Sequence, residues 1–196
     1  MCGIAGVLSW DRPPEIEPLR AMTHALRHRG PDAEGVVARG PVALGHRRLS
    51  IIDVSSSSNQ PMHDDSGRFW IVFNGEIYNY RELRQELVSS GAEFLTRSDT
   101  EVILEAYKHW GDGCTERLNG MFAFAIWDES QRRLFLARDR LGKKPLYYHR
   151  LGDRGVVFAS ELKSLRLHPA IAGTVNPTAL GHYLSLNYTL TSACIL

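Results

Sequence analysis

The chain has few of the features that mark secreted or metal-binding proteins. Its 196 residues include three cysteines, at positions 2, 114 and 194. An odd number of widely spaced cysteines does not form a disulfide framework, and there is no CxxC pair or HExxH string to bind zinc. This cysteine usage predicts the reducing cytoplasm and no metal site.

Long apolar runs, an excess of one charge and glycine-rich phosphate loops are also missing. No run approaches the roughly 20 apolar residues of a membrane span, and the N-terminus has no charged and apolar signal segment. Lys and Arg total 23 against 22 for Asp and Glu, so neither nucleic acid nor an anionic membrane is an expected partner. Without GxGxxG or GxxxxGK[ST], no cofactor is expected in this chain.

What is present is an ordinary globular composition with many short apolar segments. With 43% hydrophobic and 23% charged residues, the chain is long enough for one domain with a small appendage. The patterns predict strands at 4–8, 36–37, 42–49, 69–73, 121–127, 134–137 and 156–159, and helices at 16–28, 80–88, 98–110, 161–167 and 177–184. Residues 55–59 are predicted to form a flexible loop. Because strands often follow one another directly, an α+β fold with antiparallel sheets is favoured.

Cys2 is the first candidate for chemistry. Removal of Met1 would leave Cys2 with a thiol and a free α-amino group, which is a nucleophile with its own base. The amine titrates near ~7.7–8.0, close to operating pH. The alternative is that Cys2 only belongs to an apolar first strand.

Four other positions have groups that a thiolate cleaving the amide of an amino acid would need. Asn74 and Gly75 offer a side-chain amide and a backbone N–H for an oxyanion, or else a plain hairpin turn that ends a strand. Arg48 could bind a carboxylate and Asp99 an ammonium, unless they serve in solvation and helix capping. Arg47 should point to the opposite face from Arg48. Spacing alone does not bring these residues together.

Several strings, in order, closely resemble the glutaminase domain of class II glutamine amidotransferases. They are Met1–Ile4, His28–Asp32, His46–Asp53, Gln60–Met62, Asn74–Asn79 and Ser98–Glu101. Within that class, three further strings resemble glutamine-hydrolysing asparagine synthetase: Asn119–Phe124, Arg138–Tyr147 and Ser160–Lys163.

The resemblance implies a fold and a role for each matching residue. The implied fold is the N-terminal-nucleophile hydrolase fold, a four-layer αββα sandwich of two mainly antiparallel sheets flanked by helices. Cys2 would attack the glutamine side-chain amide, and Asn74 with Gly75 would form the oxyanion hole. Arg48 would hold the α-carboxylate and Asp99 the α-ammonium of the glutamine. The remaining pocket residues would be Leu49, Ser50, Ile51, Ile52 and Glu76. His28–Asp32 is assigned a structural role through its Gly-Pro turn.

The resemblance also implies domain bounds and a synthetase domain that residues 1–196 do not include. Residues 1–184 would be the glutaminase domain, and 185–196 a linker or the start of a truncated synthetase domain. ATP and Mg would belong to that missing domain, which would use the ammonia to amidate aspartate. A sugar or a natural-product acid is an alternative acceptor, and retention of Met1 would leave a non-catalytic glutamine-binding module. The partners would be L-glutamine, the synthetase domain and, in a homodimer, a second copy.

Overall fold

A computed structural model describes residues 1–171 and 173–190 of the chain. The strands are β1 (Gly3–Ser9), β2 (Ala33–Arg39), β3 (Val42–Arg48), β4 (Met62–His63), β5 (Phe69–Ile77), β6 (Gly120–Asp128), β7 (Arg133–Arg138), β8 (Tyr147–Arg150) and β9 (Gly155–Ala159). The helices are α1 (Ile16–His24), α2 (Tyr80–Ser89), α3 (Asp99–Trp110), α4 (Cys114–Arg117), α5 (Leu162–Leu165) and α6 (Pro177–Leu186).

The strands form two antiparallel sheets. The first sheet has the order β2-β3-β1-β9-β8, and the second has the order β4-β5-β6-β7. In the first, Gly3 lies opposite Arg47, which places the start of β1 beside the end of β3. In the second, β5 and β6 pair along their whole length, from Phe69 opposite Asp128 to Ile77 opposite Gly120.

Three apolar layers hold four layers of secondary structure together. One lies between α1, α5 and the first sheet, and includes Leu19, Met22, Leu26, Ala43, Val157 and Leu165. A second lies between the two sheets, and includes Ile4, Leu44, Trp70, Val72, Trp127 and Phe158. A third lies between the second sheet and α2 and α3, and includes Phe73, Leu83, Leu87, Ile103 and Phe124. The αββα sandwich implied by the resemblance is therefore present.

Alternation along the strands decides which side chains enter the layer between the sheets. On β3 the layer takes Val42 and Leu44, so alternation sends His46 and Arg48 to the same face. On β5 the layer takes Trp70 and Val72, followed in the same alternation by Asn74. On both strands, the side chains that face the layer between the sheets are thus apolar at the start of the strand and polar toward its end.

The predicted turn at Asn74-Gly75 is wrong. β5 continues through both residues to Ile77, with Asn74 opposite Ala123 and Gly75 opposite Phe122. A Cβ on Gly75 would lie 2.3 Å from the Met121 carbonyl oxygen, so glycine is needed here for close approach of the neighbouring strand. The dipeptide that is typical of hairpins is placed in a paired strand by this cross-strand packing.

Other predicted boundaries were close, with identifiable differences. The helix predicted over 16–28 ends at His24 and continues as turns, because the chain must reverse before β2. Strands β4 and β8 were not predicted, since each has only a few residues and no clear alternation. Residues 55–59 contain a 3₁₀ turn, Ser56–Ser58, with Ser58 buried. The expected appendage at 185–196 overlaps α6, and positions 191–196, with Cys194, lie outside the described residues.

Candidate active site

Cys2 lies at the entrance to β1, directly against the segment that follows β3. Its thiol donates to the Leu49 carbonyl at 3.6 Å, and the Leu49 N–H donates to the Cys2 sulfur at 3.4 Å. Burial raises the pKa of the Cys2 thiol, although the Leu49 hydrogen bond and the positive charges of the N-terminus and Arg48 oppose this. The thiol is therefore held in place but needs a base before it can react.

Arg29 anchors the backbone of the same residue. The Arg29 Nε–H donates to the Cys2 carbonyl oxygen at 2.8 Å, and its Nη1 donates to Glu161 at 2.9 Å. Nitrogen atoms of Arg29, His28 and Lys163 lie 2.9, 2.9 and 3.3 Å from the Glu161 carboxylate oxygens. These hydrogen bonds hold the pKa of Glu161 down to about 2 against the opposing effect of burial. The Gly-Pro turn is thus only part of what His28–Asp32 does.

Arg48 is buried at the end of β3 and held by the loop that follows. Its Nη1 donates to the Ser55 carbonyl and to Asn59 Oδ1, both at 2.7 Å, and its Nη2 donates to the Asp53 carbonyl. Residues 53–59 therefore wrap around the guanidinium and are held by its hydrogen bonds, whereas a flexible loop was predicted at 55–59. As alternation requires, Arg47 takes the other face and pairs with Glu34 at 2.6 Å.

Asp99 lies at the first turn of α3, almost completely buried. Ser98 caps this helix by accepting the Glu101 N–H at 3.2 Å, which is one half of a capping box. The Glu101 carboxylate binds the N–H groups of Leu95 and Thr96 instead of closing the box on Ser98. The Asp99 Oδ2 accepts the Ile77 N–H at 3.1 Å, but burial raises the pKa of Asp99 to about 6. A cation beside this carboxylate would relieve that cost.

Asn74 and Gly75 are neighbours on β5, and the Asn74 side chain faces the end of the layer between the sheets. The Asn74 side chain is fully buried, and neither its Nδ2 nor its Oδ1 has a partner among the described residues. An unpaired buried polar atom costs about 1–3 kcal/mol, so such a side chain is typical of a functional position.

One small cleft brings most of the predicted site residues together. Cys2, Arg48, Leu49, Ile51, Ile52 and Asp99 all line it. Ser50, Asn74, Gly75 and Glu76 do not line it. Ser50 turns away to bind Asp32, with its N–H 2.8 Å from Oδ2, and Asn74 and Gly75 follow the lining residue Phe73 on β5.

The sequence reasoning missed several residues in and around this cleft. Ser58, Gln60, Phe73, Ser98 and Thr100 line it as well. Gln60 and His46 lie inside strings that carried the family resemblance, which was the only available signal for them. Their contacts depend on strands that are distant in sequence.

Two further properties concern the described part of the chain, residues 1–171 and 173–190. No helix there combines the length and apolar character needed to cross a membrane. No group of three or more His, Cys, Asp or Glu side chains there is arranged to hold a metal ion.

Known proteins resemble this chain over nearly its whole length. The family profile described as a glutamine amidotransferase domain matches residues 1–196. The chain is 40% identical over 190 residues to asparagine synthetase [glutamine-hydrolyzing] 3 of Bacillus subtilis, covering 95% of this chain and 31% of that protein. Asparagine synthetase [glutamine-hydrolyzing] 1 of the same organism is 43% identical, with 96% and 30% covered. The chain thus spans about 30% of the length of these curated relatives.

The fold also matches a solved structure. Glutamine phosphoribosylpyrophosphate amidotransferase from B. subtilis superposes with a TM-score of 0.72 at 24% identity, covering 85% of this chain and 43% of that one. This likeness concerns the fold, and it agrees with the two antiparallel sheets between helices. The family profile, which matches the whole chain, shows that the chain belongs to the glutamine amidotransferase domain family.

Proposed function

We propose that this chain hydrolyses L-glutamine to glutamate and ammonia through a thioester on Cys2. The observation that carries the proposal is the convergence of Cys2, Arg48 and Asp99 on one cleft, next to the unpaired amide of Asn74. These four groups match four parts of one amino acid. The nucleophile matches the reacting amide, and the cation matches the α-carboxylate. The anion matches the α-ammonium, and the buried hydrogen-bond donor matches the oxyanion.

The two charged groups of the substrate would bind at opposite sides of the cleft. Arg48 uses three of its five N–H groups on the loop, which leaves its Nε–H and one Nη2–H without partners among the described residues. Donors on adjacent nitrogens of one guanidinium edge match the two oxygens of a carboxylate. Asp99, whose pKa is raised by burial, would gain the ammonium as its counter-ion.

The reaction then follows from Cys2 and its neighbours. After removal of Met1, the α-amine of Cys2 accepts the thiol proton while the sulfur attacks the side-chain amide carbon. Asn74 Nδ2 and the Gly75 N–H donate to the oxyanion that forms. The amine returns the proton to the departing nitrogen, which leaves as ammonia, and water then cleaves the glutamyl thioester to release glutamate.

The partners and compartment form the finer part of this proposal. The ammonia acceptor is aspartate, which a synthetase domain would activate with ATP and Mg. The similarity to two asparagine synthetases of B. subtilis supports aspartate as the acceptor. Residues 1–184 form the glutaminase unit, with a homodimer as the assembly, the cytoplasm as the compartment, and no nucleic acid or membrane partner. Light scattering tests the homodimer. Transfer of ¹⁵N from amide-labelled glutamine to aspartate, measured with a synthetase domain and ATP present, tests the acceptor.

The central experiment is glutaminase turnover after intact mass has verified the loss of Met1. We expect glutamate and ammonia in equal amounts, and no turnover in Cys2→Ala. Cys114→Ala is the matched control, because Cys114 is buried in the layer beneath α3 and should keep full turnover. Undiminished turnover in Cys2→Ala would refute the proposal, and a retained Met1 together with glutamine binding would favour the non-catalytic module.

A further inference from the structure

The edge of β5 that carries Asn74 and Gly75 is held by side chains instead of by a neighbouring strand. β4 pairs with β5 only at Trp70 and Ile71, and beyond Ile71 no strand from the described part of the chain lies beside this edge. The Tyr78 N–H donates to the Asn119 carbonyl across from β6, so even-numbered residues of β5 turn their backbone groups toward β6. The backbone groups of Phe73, Gly75 and Ile77 therefore face the opposite, open edge.

Three side chains from β3, from the loop before β4 and from α3 bind this open edge. The Phe73 N–H donates to Gln60 Oε1 at 2.6 Å, and the Phe73 carbonyl accepts from His46 Nε2 at 3.0 Å. Further along, the Ile77 N–H donates to Asp99. The Gly75 N–H lies between these points and has no partner among residues 1–171 and 173–190. Both backbone groups of Phe73 are thus fixed, and the donor needed for an oxyanion stays available.

The surroundings of His46 keep its Nε2 as the hydrogen-bond donor to the Phe73 carbonyl. It is 1% exposed on β3, and its acceptor is a carbonyl oxygen, so Nε2 must carry the hydrogen. Burial lowers the pKa of His46 to about 3, a shift that the nearby Arg48 charge reinforces and the Phe73 hydrogen bond opposes. The imidazole therefore stays neutral at neutral pH, and it links the two sheets beside the cleft.

Gln60 connects the N–H of the same residue, Phe73, to the helix that carries Asp99. Its Nε2 donates to Thr100 Oγ1 at 3.1 Å, while its Oε1 receives the Phe73 N–H. The side chain is 7% exposed and lines the cleft. A displacement of Gln60 would therefore move the Phe73 backbone relative to the first turn of α3.

We propose that His46 and Gln60 are positioning residues that fix the Phe73 carbonyl and N–H groups and thereby place the Asn74 and Gly75 donors opposite the Cys2 sulfur. The Phe73 carbonyl and the Asn74 N–H belong to one rigid peptide plane. A hydrogen bond that fixes the Phe73 oxygen therefore also fixes the position of the Asn74 backbone nitrogen. The proposal rests on the proposed glutaminase function. It assigns the two residues a role in the turnover of bound glutamine that acts through the Phe73 backbone.

The test compares His46→Gln with His46→Asn. The glutamine amide nitrogen can reach the position of Nε2, whereas the shorter asparagine cannot reach the Phe73 oxygen. We expect His46→Gln to keep kcat within about threefold and His46→Asn to lower it by about 10- to 100-fold, since misplacement by ~1 Å can cost about 100-fold. The KM for glutamine should change less than about threefold in both, because Arg48 and Asp99 are untouched.

A double-mutant cycle separates positioning from general damage. If His46 acts through the oxyanion donors, His46→Asn should lower kcat far less in an Asn74→Ala background than in the wild type. Equal kcat in His46→Gln and His46→Asn, or an additive cycle, would overturn the inference. Should His46→Asn fail to fold, Gln60→Met removes the acceptor of the Phe73 N–H and must lower kcat in the same way. Turnover in Cys2→Ala would refute the proposed function instead, so the two failures are distinguishable.

Discussion

The two ends of the layer between the sheets bury very different side chains on the same strands. At one end Leu8, Val42, Trp70 and Trp127 are apolar, and the Trp10 ring packs near Trp127 with centroids 6.2 Å apart. At the other end the inward rows finish in His46, Arg48 and Asn74, beside Cys2. The alternation of the strands is continuous, so only the position along the layer separates the two ends.

The difference shows how the fold divides stability and chemistry. Burial of apolar surface contributes roughly 25 cal/mol per Å², and the apolar end supplies it. The polar end works against folding, because the Asn74 amide is buried without partners and the Asp99 carboxylate is desolvated. One end stabilises the sandwich, and the other tolerates polar groups that are useful only when a substrate is bound.

The largest expected effect comes from breaking the apolar end. Trp127 is completely buried, and Trp127→Ala should lower the free energy of unfolding by about 3–5 kcal/mol through lost packing and a cavity. Trp10→Ala is the matched control, with a smaller loss because Trp10 is 42% exposed. Denaturant unfolding measures both. Equal losses would contradict the assignment of stability to this end.

Replacing the polar group at the other end should have the reverse effect. Asn74→Leu keeps the number of heavy atoms and removes two unpaired polar atoms, so the free energy of unfolding should rise by about 1–2 kcal/mol. The kcat for glutamine should fall by about 100- to 1,000-fold, the usual cost of one oxyanion donor. Denaturant unfolding and steady-state kinetics measure the two effects. A destabilised variant with normal kcat would show that the two ends do not differ in this way.

A change at Arg48 should affect binding more than turnover. Arg48→Lys keeps the charge but loses the planar fork, and one charge-assisted hydrogen bond contributes about 1.5–3 kcal/mol, so the KM for glutamine should rise about 10- to 100-fold. Arg47→Lys is the control on the opposite face, where the partner is Glu34. Initial-rate kinetics should give that control a KM near the wild-type value. A similar KM in both variants would exclude the carboxylate role for Arg48.

The smallest effect is a pH dependence from Asp99. Since burial raises the pKa of Asp99 from 3.8 to about 6, its contribution to folding stability is full below pH 3.8 and is lost as pH rises through about 6. Binding of an ammonium group needs the ionised form. Calorimetry on Cys2→Ala should therefore show the Kd for glutamine rising about tenfold per pH unit below about pH 6. In Asp99→Asn the Kd for glutamine should be higher than in the parent protein and should not change with pH over this range. A flat Kd with Asp99 intact would rule out the ammonium role.

Much of the architecture could be predicted from local patterns because those patterns arise from local physics. The alternation in β5 and β6 and the serine cap of α3 depend on residues close in sequence. The predictions failed at Asn74-Gly75, where pairing with β6 overrides a turn preference, and at residues 55–59, where the Arg48 guanidinium orders the loop. Both failures involve partners that are remote along the chain.

The sequence alone determined which chemical groups this protein has. Through the family resemblance, it also determined which of them are candidates for the site. It identified Cys2, Arg48, Asn74 and Asp99 from their residue types and surrounding strings. Only the tertiary structure decided that their strands and helix meet at one end of the sandwich, and that His46 and Gln60 hold the edge of β5 there. The physical reason is that hydrogen bonds between sheets depend on how two layers stack, and no spacing within a single strand encodes that relation.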